Sequence, residues 1–160
     1  MLFRSNIAYP DASVYYWNAT FTVPEDAQFH LEGEFPHSRY MSLISYDGRG
    51  TPIESLADYL IVPQENSVNP FVEGANRTIK KRTYTIEIVN LPPQIRRKEG
   101  TRLKLQTDVK GSGPQKEISY RNSLNATQYA HGQQSIIYRI YVPGRDKNES
   151  GGITIPEPVL

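Results

Sequence analysis

The sequence predicts an all-β domain built as a single antiparallel β-sandwich or jelly roll. Apolar and polar residues alternate with a period of two in most of its apolar segments, and no segment carries a helical apolar stripe. Twelve prolines and eleven glycines interrupt these segments at short intervals, as expected for turns between short strands. The length of 160 residues suits one domain with one core.

The first strong strand pattern runs from Val14 to Val23. Its apolar face carries Trp17 and Phe21, and its opposite face carries Tyr16 and Asn18. This arrangement is typical of a strand with one face in the core and one in water. Further strands are predicted around Phe29 and Leu31 and at residues 39–46, 82–90, 101–109 and 135–142.

The apolar positions of these strands predict the core, and the remaining segments predict turns. We expect the following side chains to be buried: Trp17, Phe21, Ile86, Ile88, Ile136 and Ile140. Residues 55–60 could form one helical turn, with Ser55 as its cap. Residues 47–50 are predicted to form a turn. The terminal segments, about 1–10 and 151–160, are predicted to be irregular.

Charge and composition argue against several classes of function. The formal net charge is +1, whereas proteins that bind nucleic acid through phosphates usually carry a basic excess. The short basic runs, 80–82 and 96–98, are predicted to be solvated turns or strand ends. No run of 18 apolar residues exists, so no membrane-spanning helix is expected. Cysteine is absent, which excludes disulfides and thiolate metal sites.

Four N-glycosylation sequons favour a secreted glycoprotein. They begin at Asn18, Asn76, Asn125 and Asn148. Nine asparagines and 22 serines and threonines in this length would give about one sequon by chance. The first residues lack the apolar region of a signal peptide, so we expect a secreted precursor to carry its signal upstream. Asn18 falls within a strand, so it can carry a glycan only if it lies on a solvent-exposed face of that strand.

No catalytic or metal-binding motif is present, so no catalytic residue, metal site or cofactor is predicted. The three histidines lack metal-ligand spacing. Arg39 and Arg139 each lie within an otherwise apolar strand, and a buried guanidinium needs a carboxylate partner. Asp47 and Asp58 are the candidate partners, and an anionic-ligand site is the alternative. Eleven tyrosines suit strand packing or, alternatively, a carbohydrate-binding face.

Several motifs resemble a poorly characterised family of secreted, β-rich proteins that are mostly described as hypothetical. The similarity lies in residues 33–42 with Tyr46 and Asp47, residues 55–59 with 61–63, residues 67–71 with 74–77, and residues 137–143 with Gly151 and Gly152. It extends over about residues 9–156. The resemblance implies an exported β-sandwich without assigned activity or catalytic residues.

Two functions of different classes are compatible with these observations. The first is a non-enzymatic structural or assembly subunit of a surface layer, fibre or matrix, with self-association as its main interaction. Strand addition between copies would use apolar anchors near the end of the sequence, namely Ile153, Ile155, Val159 and Leu160. The alternative is an extracellular carbohydrate-binding or carbohydrate-active domain. An enzymatic role is less favoured than a binding or structural one.

Overall fold

A computed structural model describes residues 3–4, 13–24, 27–91 and 120–160. The fold is a single β-sandwich, as predicted, and 47% of the described residues lie in strands. The described residues form nine strands, which are in chain order β1 Phe3–Arg4, β2 Val14–Thr22, β3 Phe29–Glu34, β4 Ser38–Tyr46, β5 Pro52–Ala57, β6 Thr83–Val89, β7 Ser123–Asn125, β8 Gln133–Pro143 and β9 Glu157–Val159.

The strands form two sheets that pack face to face. The larger sheet has the order β1-β2-β8-β4-β5 and is antiparallel throughout. The smaller sheet has the order β7-β6-β3-β9, and its β6–β7 pair is parallel. This sheet is therefore mixed, whereas the alternation pattern had predicted two antiparallel sheets. Strand patterns specify which side chains are inside but not the direction of a neighbouring strand.

One apolar core fills the space between the sheets. Trp17 of β2 lies 5.9 Å from the ring of Tyr138 of β8, measured between ring centroids. From the smaller sheet, Tyr84 packs at 4.8 Å from Phe35. All six residues that were predicted to be buried contribute to this core, although Phe21 is only half-buried.

The segment predicted to form a helical turn divides into two elements. Strand β5 extends through Ala57, because Ser55 and Ala57 pair with Ile44 and Ser42 of β4. Only Asp58–Leu60 forms a 3-10 helix, and its N-cap is Ala57 rather than Ser55. The prediction was wrong here because ladder pairing with β4 outweighs the local helical pattern.

Parts of both terminal segments belong to the sheets, so the prediction of irregular ends needs correction. Phe3 and Arg4 pair with Asn18 and Trp17. At the other end, β9 pairs with His30–Glu32 of β3. The predicted strand at 101–109 lies outside the described residues. Within the described part, no helix is long and apolar enough to cross a membrane.

Candidate functional site: a basic cleft

A cleft of about 540 Å³ opens at one end of the sandwich. Strand β4 begins there and β8 ends there, since Ser38 pairs with Pro143. In the other sheet, β3 ends and β6 begins at the same edge, since Glu34 pairs with Thr83. We call this opening the basic cleft. Its walls consist of Pro36, His37, Ser38, Arg39, Pro70, Phe71, Arg77, Thr78, Arg82, Val142, Gly144, Asp146 and Lys147.

Arg82 is the most deeply buried charged residue of the cleft. Only 2% of Arg82 is exposed. Its guanidinium donates to backbone carbonyl oxygens, with Nε 2.8 Å from the oxygen of Ile79 and Nη2 2.8 Å from the oxygen of Arg77. Burial lowers its pKa, and the charge of Glu34 acts in the opposite direction. Among the described side chains, no carboxylate lies within ion-pair distance of this guanidinium, and its described hydrogen bonds go to backbone carbonyl oxygens.

Three further cations line the same cleft. Arg39 and Arg77 are exposed to solvent. Lys147 is also exposed, and its Nζ lies 3.0 Å from the carboxylate of Asp146, whose side chain is 78% exposed. An ion pair this open to water is weak. The cleft thus combines four basic side chains with one carboxylate, although the whole chain has a net charge of only +1.

His37 joins two of the loops that shape the cleft. Its backbone nitrogen donates to the oxygen of Gly151 at 2.9 Å, and its own oxygen accepts from the nitrogen of Gly144 at 2.8 Å. Burial lowers the pKa of its imidazole, and the charges of Arg82 and Lys147 lower it further. The imidazole is therefore neutral at pH 7, and acidification would add positive charge to the cleft.

Phe71 gives the cleft an apolar wall. Phe71 is half-buried and packs edge-on against Phe35 at 6.1 Å between centroids. Its backbone nitrogen donates to Oδ1 of Asn69 at 2.9 Å. Asn69 is itself buried, and its Nδ2 donates to the oxygens of Asp58 and Ile61. These bonds fix the loop that presents Phe71, so the wall is preformed.

The four residues considered for ion pairs do not pair with one another as expected. Arg39 is exposed, so the prediction of a buried guanidinium is wrong at this position. Its side chain lies beyond the last core layer of β4, where the cleft opens. Arg139 is half-buried, donates from Nε to Oγ of Ser42 at 3.1 Å, and lies 5.8 Å from the ring centroid of Tyr141.

The two aspartates bind backbone N–H groups instead. Oδ1 of Asp47 accepts from the nitrogens of Arg49 and Thr51, which closes the predicted turn and lowers the pKa of Asp47. Asp58 is buried, and its carboxylate accepts from the nitrogens of Met41 and Tyr59 at 2.8 and 2.7 Å. Burial nevertheless raises the pKa of Asp58 to about 6.

The asparagines of the four sequons differ in their exposure to solvent. Asn76 and Asn148 are exposed, and Oδ1 of each accepts the hydroxyl of its own sequon's Thr78 or Ser150. Asn125 is 3% exposed, and its amide bonds both the nitrogen and the oxygen of Leu91. A glycan linked to Nδ2 of Asn125 has no path to solvent unless this buried amide leaves its place beside Leu91, so the prediction of Asn125 as a glycosylation site is incompatible with this fold. Asn18 is half-buried, and its Oδ1 accepts from Oγ of Ser135.

The proposed assembly anchors lie on their own domain. Ile155 packs against the core, and Val159 pairs with His30 within β9. Ile153 is half-buried, whereas Leu160 is 74% exposed. Strand addition therefore occurs within the chain at this edge, which weakens the argument that these residues reach a neighbouring copy.

Sequence reasoning missed the basic cleft. Arg82 belongs to a basic run that was predicted to be solvated, yet it is the buried member of that run. Arg77 and Lys147 carried no distinguishing pattern, because they come from loops far apart in the chain. The described residues contain no group of three or more histidine, aspartate or glutamate side chains that could hold a metal ion.

No protein-family model matches the chain, and comparisons with curated proteins and with solved structures also give no match. The resemblance to a family of secreted β-rich proteins therefore stays a prediction based on motifs.

Proposed function

We propose that this domain is an extracellular binding module whose basic cleft takes an acidic carbohydrate, a sugar that carries a carboxylate or sulfate group. The observation that carries the proposal is Arg82, a buried guanidinium whose hydrogen-bond acceptors among the described residues are carbonyl oxygens, in a cleft lined by three other cations. Such an arrangement produces a positive field in a region of low dielectric. A bound anion would neutralise part of the positive charge of these four side chains.

The remaining walls support a sugar as the body of the ligand. The half-buried ring of Phe71 lines the cleft together with the cations, and sugar rings pack their C–H faces against aromatic rings. A volume of about 540 Å³ is within the range of small-molecule sites. An acidic sugar combines an apolar ring face with negatively charged groups. The cleft is complementary to it, because it combines an aromatic side chain with cations.

Export and N-glycosylation are part of the same proposal. Two sequons support them, since Asn76 and Asn148 are exposed asparagines in loops. Because N-glycans are bulky and need solvent, glycosylation is expected at these two positions. Intact mass before and after glycosidase treatment of the protein from a secretory host measures it, and an unchanged mass would remove this part of the proposal.

Binding is tested by titrating the protein with a sulfated disaccharide and with its unsulfated counterpart, followed by calorimetry. Arg39→Gln removes a cation that lines the cleft, whereas Arg145→Gln removes an exposed cation from a neighbouring loop that does not line it. We expect only the sulfated sugar to bind, about tenfold more weakly to the Arg39 variant and unchanged to the Arg145 variant.

Two results would contradict the proposal. Equal effects of the two substitutions would indicate attraction to net charge and not to the cleft. Absence of binding to the unmodified protein at low salt would exclude sulfated disaccharides as a ligand class. Self-association is a separate proposal, tested by size-exclusion chromatography with light scattering. A protein that is monomeric at high concentration would exclude it.

A further inference from the structure

One of the exposed sequons forms part of the rim of the basic cleft. Asn76 itself is exposed, while the next two residues, Arg77 and Thr78, line the cleft. Oδ1 of Asn76 accepts from the nitrogen of Thr78 at 2.9 Å and from its Oγ1 at 2.8 Å. These two bonds fix the amide group relative to the rim. A glycan linked to Nδ2 would therefore start from a defined position at the entrance.

We propose that an N-glycan on Asn76 sets the size of ligand that enters the basic cleft, admitting short acidic sugars and excluding long acidic polymers. The inference rests on the proposed function, because it concerns access to the same site. It assigns Asn76 a role in selectivity, beyond the solubility that surface glycans usually confer.

The glycan would exclude long ligands by steric hindrance, because its attachment point is close to the opening of the cleft. Consecutive Cα atoms are about 3.8 Å apart, so the attachment residue is at most about 8 Å from the Cα atom of Thr78. A branched glycan fixed so close to the opening occupies the solvent that a long chain would have to cross. A ligand of one or two sugar rings fits within the cleft and needs no such path.

A neutral glycan would act on size and not on charge. Mannose and N-acetylglucosamine carry no formal charge, so Arg39, Arg77 and Lys147 keep their positive field. The affinity of a short ligand is therefore expected to be the same with and without the glycan. Loss of affinity is expected only for ligands that extend beyond the rim.

The experiment uses the full chain secreted from a host that adds neutral high-mannose glycans, with occupancy measured by peptide mapping. Two probes are titrated, a sulfated disaccharide and a long dextran sulfate. The Asn76 glycan is removed alone by Asn76→Gln, and together with any other N-glycan by endoglycosidase treatment of the unmodified protein. Asn148→Gln serves as the matched control, because it removes the other exposed sequon and Asn148 does not line the cleft.

We expect the long polymer to bind about tenfold more tightly after either removal, and the disaccharide to bind equally in all forms. The Asn148→Gln protein, which keeps the sequon at Asn76, should behave like the unmodified one. An unoccupied Asn76, or equal polymer binding in all forms, would overturn the inference while leaving the proposed function intact. Equal changes for both probes would also overturn it. Failure of both probes to bind any form would instead overturn the proposed function itself.

Discussion

At the scale of single residues, the two aspartates that bind backbone N–H groups have opposite pKa shifts. Asp47 is exposed, and its hydrogen bonds to the nitrogens of Thr51 and Arg49 favour the ionised form and lower its pKa. Asp58 makes two similar bonds, but burial outweighs them and raises its pKa to about 6. The same chemical group therefore contributes to stability with opposite pH dependence at the two positions.

The raised pKa of Asp58 predicts that acidification stabilises the fold through this residue. Between pH 4 and 6 the folded protein binds the proton of Asp58 while the unfolded chain has released it. The free energy of unfolding therefore falls as pH rises through this interval, by at most about 3 kcal/mol. In Asp58→Asn this contribution is absent. Chemical denaturation of both proteins at several pH values measures the difference.

Asp47 and His37 provide the comparison for Asp58. The difference in free energy of unfolding between the unmodified protein and Asp47→Asn should have the opposite pH dependence, because a lowered pKa contributes stability at neutral pH that is lost on acidification. His37, whose pKa is also lowered, opposes Asp58 as its imidazole protonates, so the difference between the unmodified protein and Asp58→Asn is the relevant quantity. A difference that does not change between pH 4 and 7 would contradict the assignment.

At the scale of the elements, long strands could be predicted from the sequence and short ones could not. The alternation of Ile136, Tyr138 and Ile140 is visible without a structure, and all three are buried. By contrast, β7 and β9 have three residues each, too few to establish a period. They exist because β6 and β3 provide partners, and a partner distant in sequence leaves no local pattern.

The basic cleft was not predictable for a related reason. Arg82 is buried because the carbonyl oxygens of Arg77 and Ile79 turn towards it, and backbone direction in an irregular loop has no compositional signal. The sequence did identify Arg39 as unusual. It lies on the core-facing side of β4 but at the end of the strand, where that side opens into the cleft.

Strand β8 contains a strained residue at this same end. Val142 has a φ of 49°, a region that is unfavourable for β-branched side chains. Its nitrogen donates to the oxygen of Ser13 at 2.7 Å, and its side chain is 47% exposed in the cleft wall. Little packing depends on this side chain, so the backbone conformation dominates its contribution to stability.

Replacement of Val142 by asparagine is predicted to increase the free energy of unfolding by about 1 kcal/mol, because asparagine adopts positive φ with less strain. Thr22→Asn, at an exposed position with ordinary strand geometry, should lower stability slightly. Thermal or chemical denaturation compares the two variants. Destabilisation of both by similar amounts would show that the conformation of Val142 is not strained.

At the scale of the whole molecule, a polar network joins the two sheets. Glu54 of β5 in the larger sheet accepts from Nη1 of Arg121 at 2.8 Å through Oε1. Its Oε2 accepts from the nitrogen of Asn125 of β7 in the smaller sheet. Ser45 of β4 also donates to the oxygen of Asn125. Since both Glu54 and Arg121 are largely shielded from water, this network is expected to contribute more than a surface ion pair.

Glu54 lies far from the basic cleft. It pairs with Ser45, whereas the cleft begins at Ser38 of the same strand, and seven residues of extended chain span roughly 23 Å. Stability and ligand binding therefore depend on opposite ends of the sandwich. A substitution at Glu54 should affect the first without affecting the second, provided the protein remains folded.

Glu54→Gln is predicted to lower the free energy of unfolding by about 2 kcal/mol. The glutamine amide has one acceptor where the carboxylate has two, so its NH₂ group faces either Arg121 or the nitrogen of Asn125, and one buried donor loses its partner. Glu65→Gln, in an exposed turn, should have almost no effect, since no described ion pair involves it. Urea denaturation at pH 7 measures both. Equal stability of the two variants would mean that this polar network does not contribute to holding the sheets together. Weaker binding of the sulfated disaccharide by the folded Glu54→Gln protein would mean that Glu54 and the basic cleft are coupled.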